Sequence, residues 1–195
     1  ITLSNLTGSE TLAHSGTAST SSANAGSYTI NNLSGISISN GTGTASNYTL
    51  TGGIHSFTIA ERVISVNGTR LYDATSNAEA SDLSTQTNLV GSQTLVLSGT
   101  GIIASRDVGS NKTVSVGTLT LADGSNGGLA ANYTLSGGTH QLTVTQRPLN
   151  SSGSKSYDAN TDALANAITL SNLAGGETLV HSGTASTSSA NAGDY

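Results

Sequence analysis

Apolar residues along this chain fall in short alternating runs, separated by clusters of Gly, Asn, Asp and Ser, and nothing reads as a long helix. That spacing is the pattern of an all-β sandwich or barrel. Between residues 63 and 147 it predicts strands at 63–66, 69–72, 94–98, 101–104, 113–121, 133–135 and 141–144, with a helical turn as the reading for 74–82. Within 112–121 the alternation changes phase at Gly117, the signature of a bulge or bend. Asn67-Gly68 suits a type I′ hairpin, whose two central residues take positive φ. Gly52-Gly53 and Gly137-Gly138 suit tight turns, and Pro148 follows the last strand, where its fixed φ would stiffen a joint between domains.

The same run of elements recurs. Residues 168–195 match residues 1–28 at 24 of 28 positions, an offset of 167. Half of that interval repeats more loosely: 46–64 (SNYTLTGGIHSFTIAERVI) returns as 131–149 (ANYTLSGGTHQLTVTQRPL), and Gly8 to Thr17 returns as Gly91 to Thr100. The unit is about 84 residues, and alternate units are more alike than adjacent ones. The chain therefore reads as the back part of one repeat (1–62), a complete repeat (63–147) and the front part of a third (148–195). Tandem immunoglobulin-like β-sandwich repeats are the expected fold class; a β-solenoid is the alternative, although solenoid repeats usually run about 20–45 residues. A chain beginning at Ile1 is expected to be a piece of something longer.

Composition narrows the function classes. Ser and Thr fill 61 of 195 positions while charged residues are 9%, so solubility rests on hydroxyls and amides, a style of surface common in secreted proteins. Net charge is −5, and no basic stripe is available for nucleic acid or anionic lipid. Without Cys there is no disulfide framework or thiol metal site. No run of 18 apolar residues and no signal-peptide pattern occurs, so no membrane insertion is expected of this segment.

The Tyr-Asp-Ala that opens a unit, GSQTLVLSGTG in its middle, DVGSNKTVSVGTLTL after it and ANYTLSGGTHQLTVTQRPL at its close resemble the YDG-type tandem repeat of large bacterial adhesins, including filamentous-haemagglutinin-like proteins. The pattern covers the complete unit and both partial ones. The third motif position is often Gly in that family; here Ala74 and Ala159 stand there, which argues against a positive φ. The resemblance implies a secreted, extracellular cell-surface or biofilm-matrix protein whose β domains space a binding region from the cell. It transfers no catalytic residue.

The candidate residues are structural ones. Six of the seven aromatics are Tyr, at three repeated places: Tyr28 and Tyr195, Tyr48 and Tyr133, Tyr72 and Tyr157. A buried Tyr supplies apolar area while its hydroxyl ties down a turn; the alternative is an exposed ladder for sugars, which more often uses Trp. Asp73 and Asp158 suit Asx turns, and no run of acids accompanies them to make a calcium site. His14 and His181 share a position with Leu97, and His55 and His140 lack neighbouring ligands, so no metal or other cofactor is expected. Glu10, Gln93 and Glu177 differ at one shared position, which argues against a repeated glycosidase acid. No serine nucleophile or phosphate-loop motif occurs. Lys112 and Lys155 align with Tyr28 and Arg70, so a repeated Lys to Asn cross-link is not expected either. The reading is non-enzymatic: an adhesin stalk whose partners are neighbouring repeats and other copies in a fibre, with a host or matrix glycan or protein unidentified. The alternative is a glycan-binding module using loops at one end of the sandwich.

Overall fold

The structure, a computed structural model, describes residues 2–194. The fold is all-β, with single 3-10 turns at Ala45–Asn47, Ala130–Asn132 and Ala165–Ala167. The first strands are β1 (Leu12–Gly16), β2 (Gly26–Thr29), β3 (Ile36–Asn40), β4 (Ser56–Ile59) and β5 (Arg62–Val63). The middle stretch carries β6 (Ser65–Leu71), β7 (Asn77–Glu79), β8 (Thr85–Thr87), β9 (Leu95–Ser98), β10 (Thr100–Ile103), β11 (Gly109–Ser115), β12 (Thr120–Asp123), β13 (Tyr133–Thr134) and β14 (Gln141–Thr145). The last carries β15 (Asn150–Gly153), β16 (Asp162–Leu164), β17 (Ile168–Ser171) and β18 (Thr184–Ser186). Among the described residues no helix is long and apolar enough to cross a membrane.

The chain folds as two compact units. The first comprises the chain up to Ile64 with Asn88–Val96 and Leu121–Gly137. Here β1 pairs antiparallel with β3, β2 antiparallel with β4, and β5 parallel with β13. Ile30, Ile64, Leu95, Tyr133 and Leu135 are its buried apolar side chains.

The second unit comprises Ser65–Thr87, Leu97–Thr120 and the chain from Gly138 onward. Its centre is a mixed six-stranded sheet in the order β7-β10-β11-β14-β6-β8, curled into a half-barrel. β6 and β14 are paired parallel from Asn67↔Gln141 to Leu71↔Thr145, and the other neighbours are antiparallel. Alternation along β14 buries Leu142 and Val144, as a strand with one covered face requires. Val66, Ala78, Leu83, Ile103, Val114 and Leu119 are also among the buried apolar residues of this unit. Fully burying a side chain of this size contributes roughly 1.5–3 kcal/mol, so a short roster suffices for a small sheet. Two further ladders repeat registers of that sheet. β16·β18 sets Leu164 against Thr184 as β7·β10 sets Glu79 against Thr100. β15·β17 sets Ser152 against Thr169 as β6·β8 sets Asn67 against Thr85.

Several local expectations change. Asn67-Gly68 is no hairpin: both lie inside continuous β6. The glycine is required by proximity, because a Cβ on Gly68 would stand 1.6 Å from the Asp82 carbonyl oxygen. The 74–82 segment is no helical turn but holds β7 and a turn in which Asp82 N–H donates to Glu79 O at 2.9 Å. The strand expected over 113–121 divides at Gly117, which turns with φ +56°, so β11 joins β10 and β14 while β12 pairs with β9. Gly52 and Gly137 take positive φ in their turns.

One ladder differs between the repeats by a single residue. β2·β4 runs from Gly26↔Ile59 to Thr29↔Ser56 without a slip, whereas in the equivalent β11·β14 ladder the register shifts between Gly109 and Lys112. The offset between equivalent residues steps there from 83 (Gly26 to Gly109) to 84 (Tyr28 to Lys112). The inserted residue is accommodated as a β-bulge.

Candidate functional site

Arg70, near the end of β6, is buried, and it organises the adjoining turn. It forms an ion pair with Asp73 and donates to the Thr75 carbonyl oxygen at 2.7 Å and the Thr75 hydroxyl at 3.3 Å. Asp73 Oδ1 accepts the Thr75 amide at 2.9 Å and its hydroxyl at 3.0 Å, closing an Asx turn. Between them Ala74 adopts φ +65°. The left-handed conformation is therefore used despite the Cβ, against the expectation from sequence, at a cost of roughly 1–2 kcal/mol; the Asp73 turn and the Arg70 fork impose it. The next repeat does the same with different residues. Ala159 has φ +61°, Asn160 N–H donates to Asp158 Oδ1 at 3.2 Å, and Lys155 takes the place of Arg70. Its Nζ lies 2.9 Å from Asp158 Oδ1, 2.6 Å from Asn160 Oδ1 and 3.0 Å from Asn160 O.

The electrostatics follow from these contacts. Partial burial pushes the Asp73 carboxyl up, but the Thr75 amide, Arg70 and the Thr75 hydroxyl outweigh it and hold the group below its ordinary value. The Lys155 hydrogen bond, with the Asn160 amide, lowers Asp158 in the same way. Asp82 is raised, because burial exceeds the opposing attraction of Arg70, whose Nε is 4.0 Å away. Among the described residues no three His, Cys, Asp or Glu gather as a metal set. His140 is buried with its Nδ1 accepting the Val66 amide at 3.2 Å. His55 and His181 bond the Leu50 and Ala165 carbonyls at 2.8 and 2.9 Å.

Tyr48 and Tyr133 occupy a second repeated site. Each follows a 3-10 turn in extended backbone, at φ −129°, ψ 151° and φ −133°, ψ 152°. Tyr133 is buried; its hydroxyl accepts the Val90 amide at 3.1 Å and donates to Gln93. Tyr48 accepts the Thr7 amide at 3.1 Å and donates to Glu10. In both cases the hydroxyl closes over a turn, 7–10 or 90–93, whose second residue is a positive-φ glycine, Gly8 or Gly91. The 174–177 turn has the same form, with Gly175 at φ +60°. Tyr28 donates to the Asn24 carbonyl oxygen at 2.7 Å; its counterpart Tyr195 lies outside the described residues.

Two further contacts, one in each unit, use residues that the sequence did not single out. Arg62 donates from Nε to the Asn88 carbonyl oxygen at 2.6 Å and from its terminal nitrogen to Asn88 Oδ1 at 2.7 Å, while Asn88 Nδ2 donates to Val63 O at 2.5 Å. One repeat later Arg147 bonds Asn172 O and Oδ1 at 2.7 and 2.8 Å, and Asn172 Nδ2 donates to Pro148 O at 2.8 Å. Asn88 and Asn172 both take positive φ, as does Asn5 at the equivalent place. Beside the second clamp, the 72–74 turn meets the 174–177 turn. Tyr72 donates to Glu177, Arg106 approaches Glu177 Oε1 at 3.4 Å, and Arg106 also donates to Ala74 O at 3.2 Å. The Glu177 hydrogen bond, aided by partial burial, raises the Tyr72 phenol above its ordinary value. Tyr157 is 68% exposed. The signal for the clamp was present in the sequence: Arg62 and Arg147 recur at offset 85, and Asn5, Asn88 and Asn172 recur at 83 and 84.

A YDG domain is found at residues 60–144. No curated protein and no solved structure matches the chain.

Proposed function

We propose that the chain is a run of structural β repeats of the sandwich type, forming a spacer in a secreted bacterial surface adhesin or extracellular fibre. Its work is to set length and direction, and it catalyses nothing. The observation that carries this reading is the Arg–Asn clamp, which recurs with the same three hydrogen bonds at two successive joints. A flexible tether gains nothing from such a device. A bidentate guanidinium contact with a returning amide bond restricts rotation where one repeat passes to the next. The YDG domain at 60–144 and the Ser/Thr-rich, charge-poor composition support repeats working outside the cell, with their neighbours as first partners.

Small-angle X-ray scattering on tandem chains of two, four and six complete repeats tests this. The maximum dimension is expected to rise linearly with repeat number. Compaction with added repeats would overturn the spacer reading and direct attention to a surface formed by repeats packed side by side.

A further inference from the structure

The surface made by Tyr72, Ala74 and Arg106 faces the repeat that follows in the chain. It receives the 174–177 turn of that next repeat, and two features limit which turn can enter. A Cβ on Gly175 would lie 2.6 Å from the Ala74 Cβ, so only glycine passes at that place. Past it, the Glu177 carboxylate takes the Tyr72 hydroxyl and faces Arg106, whose guanidinium is aimed by its bond to Ala74 O. A carboxylate accepts through two oxygens, so one acid can serve this joint and the tyrosine of its own repeat, as Glu10 serves Tyr48.

Both members of this pair alternate along the chain. The Glu177 position reads Glu10, Gln93, Glu177, and the Arg106 position reads Ala23, Arg106, Ala190. A joint combines the second position of one repeat with the first position of the next. Thus Arg106 is followed by Glu177, and Ala23 is followed by Gln93. Each joint is matched, one charged and one neutral. Shifting the order by one repeat would face Arg with Gln, or leave the acid without its cation.

We propose that the repeats are of two kinds that recognise one another in order, the Tyr72/Ala74/Arg106 surface selecting a following repeat whose Gly-X-Glu turn presents an acid. This accounts for the closer identity at 167 residues than at 83–85: the two-repeat period is maintained by the joints. The inference rests on the tandem-repeat reading, but on neither the stalk's length nor its place outside the cell.

The test is a double-mutant cycle on the 195-residue chain with Arg106→Ala, Glu177→Gln and both together, reading amide hydrogen exchange over residues 172–178. Each single change is expected to speed exchange roughly two- to fivefold, the range of an exposed ion pair, with the double no worse than either single. The exchanged pair Arg106→Glu with Glu177→Arg is expected to recover part of the loss. Additive singles, or no effect of either, would overturn the selective joint. That result alongside linear growth in scattering would leave the spacer reading intact, whereas compaction with a coupled cycle would sink only the spacer.

Discussion

Arg147 holds Asn172 by two parallel hydrogen bonds, to the main-chain and side-chain oxygens, at 2.7 and 2.8 Å. The asparagine is suited to this in two ways: it tolerates the left-handed backbone it adopts at φ +65°, and its amide nitrogen returns a bond to Pro148 O. Arg147→Lys keeps the charge but loses the fork. It is expected to destabilise the joint by about 0.5–1.5 kcal/mol, seen as faster amide exchange at Asn172 with the β6·β14 amides unchanged. Equal protection in the two proteins would contradict the clamp.

Tyr133→Phe keeps the buried ring but strands the Val90 amide and Gln93 Oε1. The expected loss is about 1–3 kcal/mol, measured as a lower urea midpoint at constant slope. Tyr48→Phe should act in the same direction but less strongly, because its site is more exposed.

Ala74→Gly and Ala159→Gly remove a Cβ from left-handed backbone. Relief of that strain exceeds the added flexibility of the unfolded chain, so each is expected to stabilise by up to about 1 kcal/mol. A fall in melting temperature for both would mean that the Ala74 methyl contributes more to packing than it costs in backbone strain.

Gly68→Ala would drive a Cβ to within 1.6 Å of a main-chain oxygen in a continuous strand. Main chain cannot give way as a flexible side chain can. Destabilisation of about 3 kcal/mol or more is expected, and loss of the β6·β8 pairing should appear as exchange of the Asn67 and Thr87 amides.

Acid should act through opposing groups. Asp73 and Asp158 are held low, so the stability they contribute is complete above their unfolded value near about 4 and is lost as pH falls through the lower folded values. Asp82 is held high, so its ionisation costs stability as pH rises from about 4 through its folded value. Urea unfolding between about pH 2 and 7 should therefore show a shallower acid decline for Asp73→Asn and a steeper one for Asp82→Asn. The reverse order would refute these assignments.

What was legible in the sequence was whatever recurs or alternates. Strands expected at 94–98, 101–104 and 141–144 lie within a residue of β9, β10 and β14, because Leu95, Ile103, Leu142 and Val144 need one covered face. β7 and β8, reading Asn-Ala-Glu and Thr-Gln-Thr, carry too little alternation to be seen; their partners make them strands. The parallel pairing of β6 with β14 spans more than seventy residues and has no local signature. Gly68 shows a different limit: a glycine demanded by the nearby Asp82 carbonyl looks like one demanded by a turn. Ala74 shows the converse, since a conformation usually marked by glycine is imposed here by Arg70 and Asp73. The clamp residues recur at fixed offsets, yet single polar residues in loops announce no partner until the backbone brings them together.

The parallel pairing of β6 and β14 has a mechanical consequence. Tension applied between Ser65 and Thr145 acts at opposite ends of two strands paired side by side over five residue pairs. The load falls on that ladder in shear, so its hydrogen bonds must yield together, whereas a hairpin pulled from its open end would give way one bond at a time.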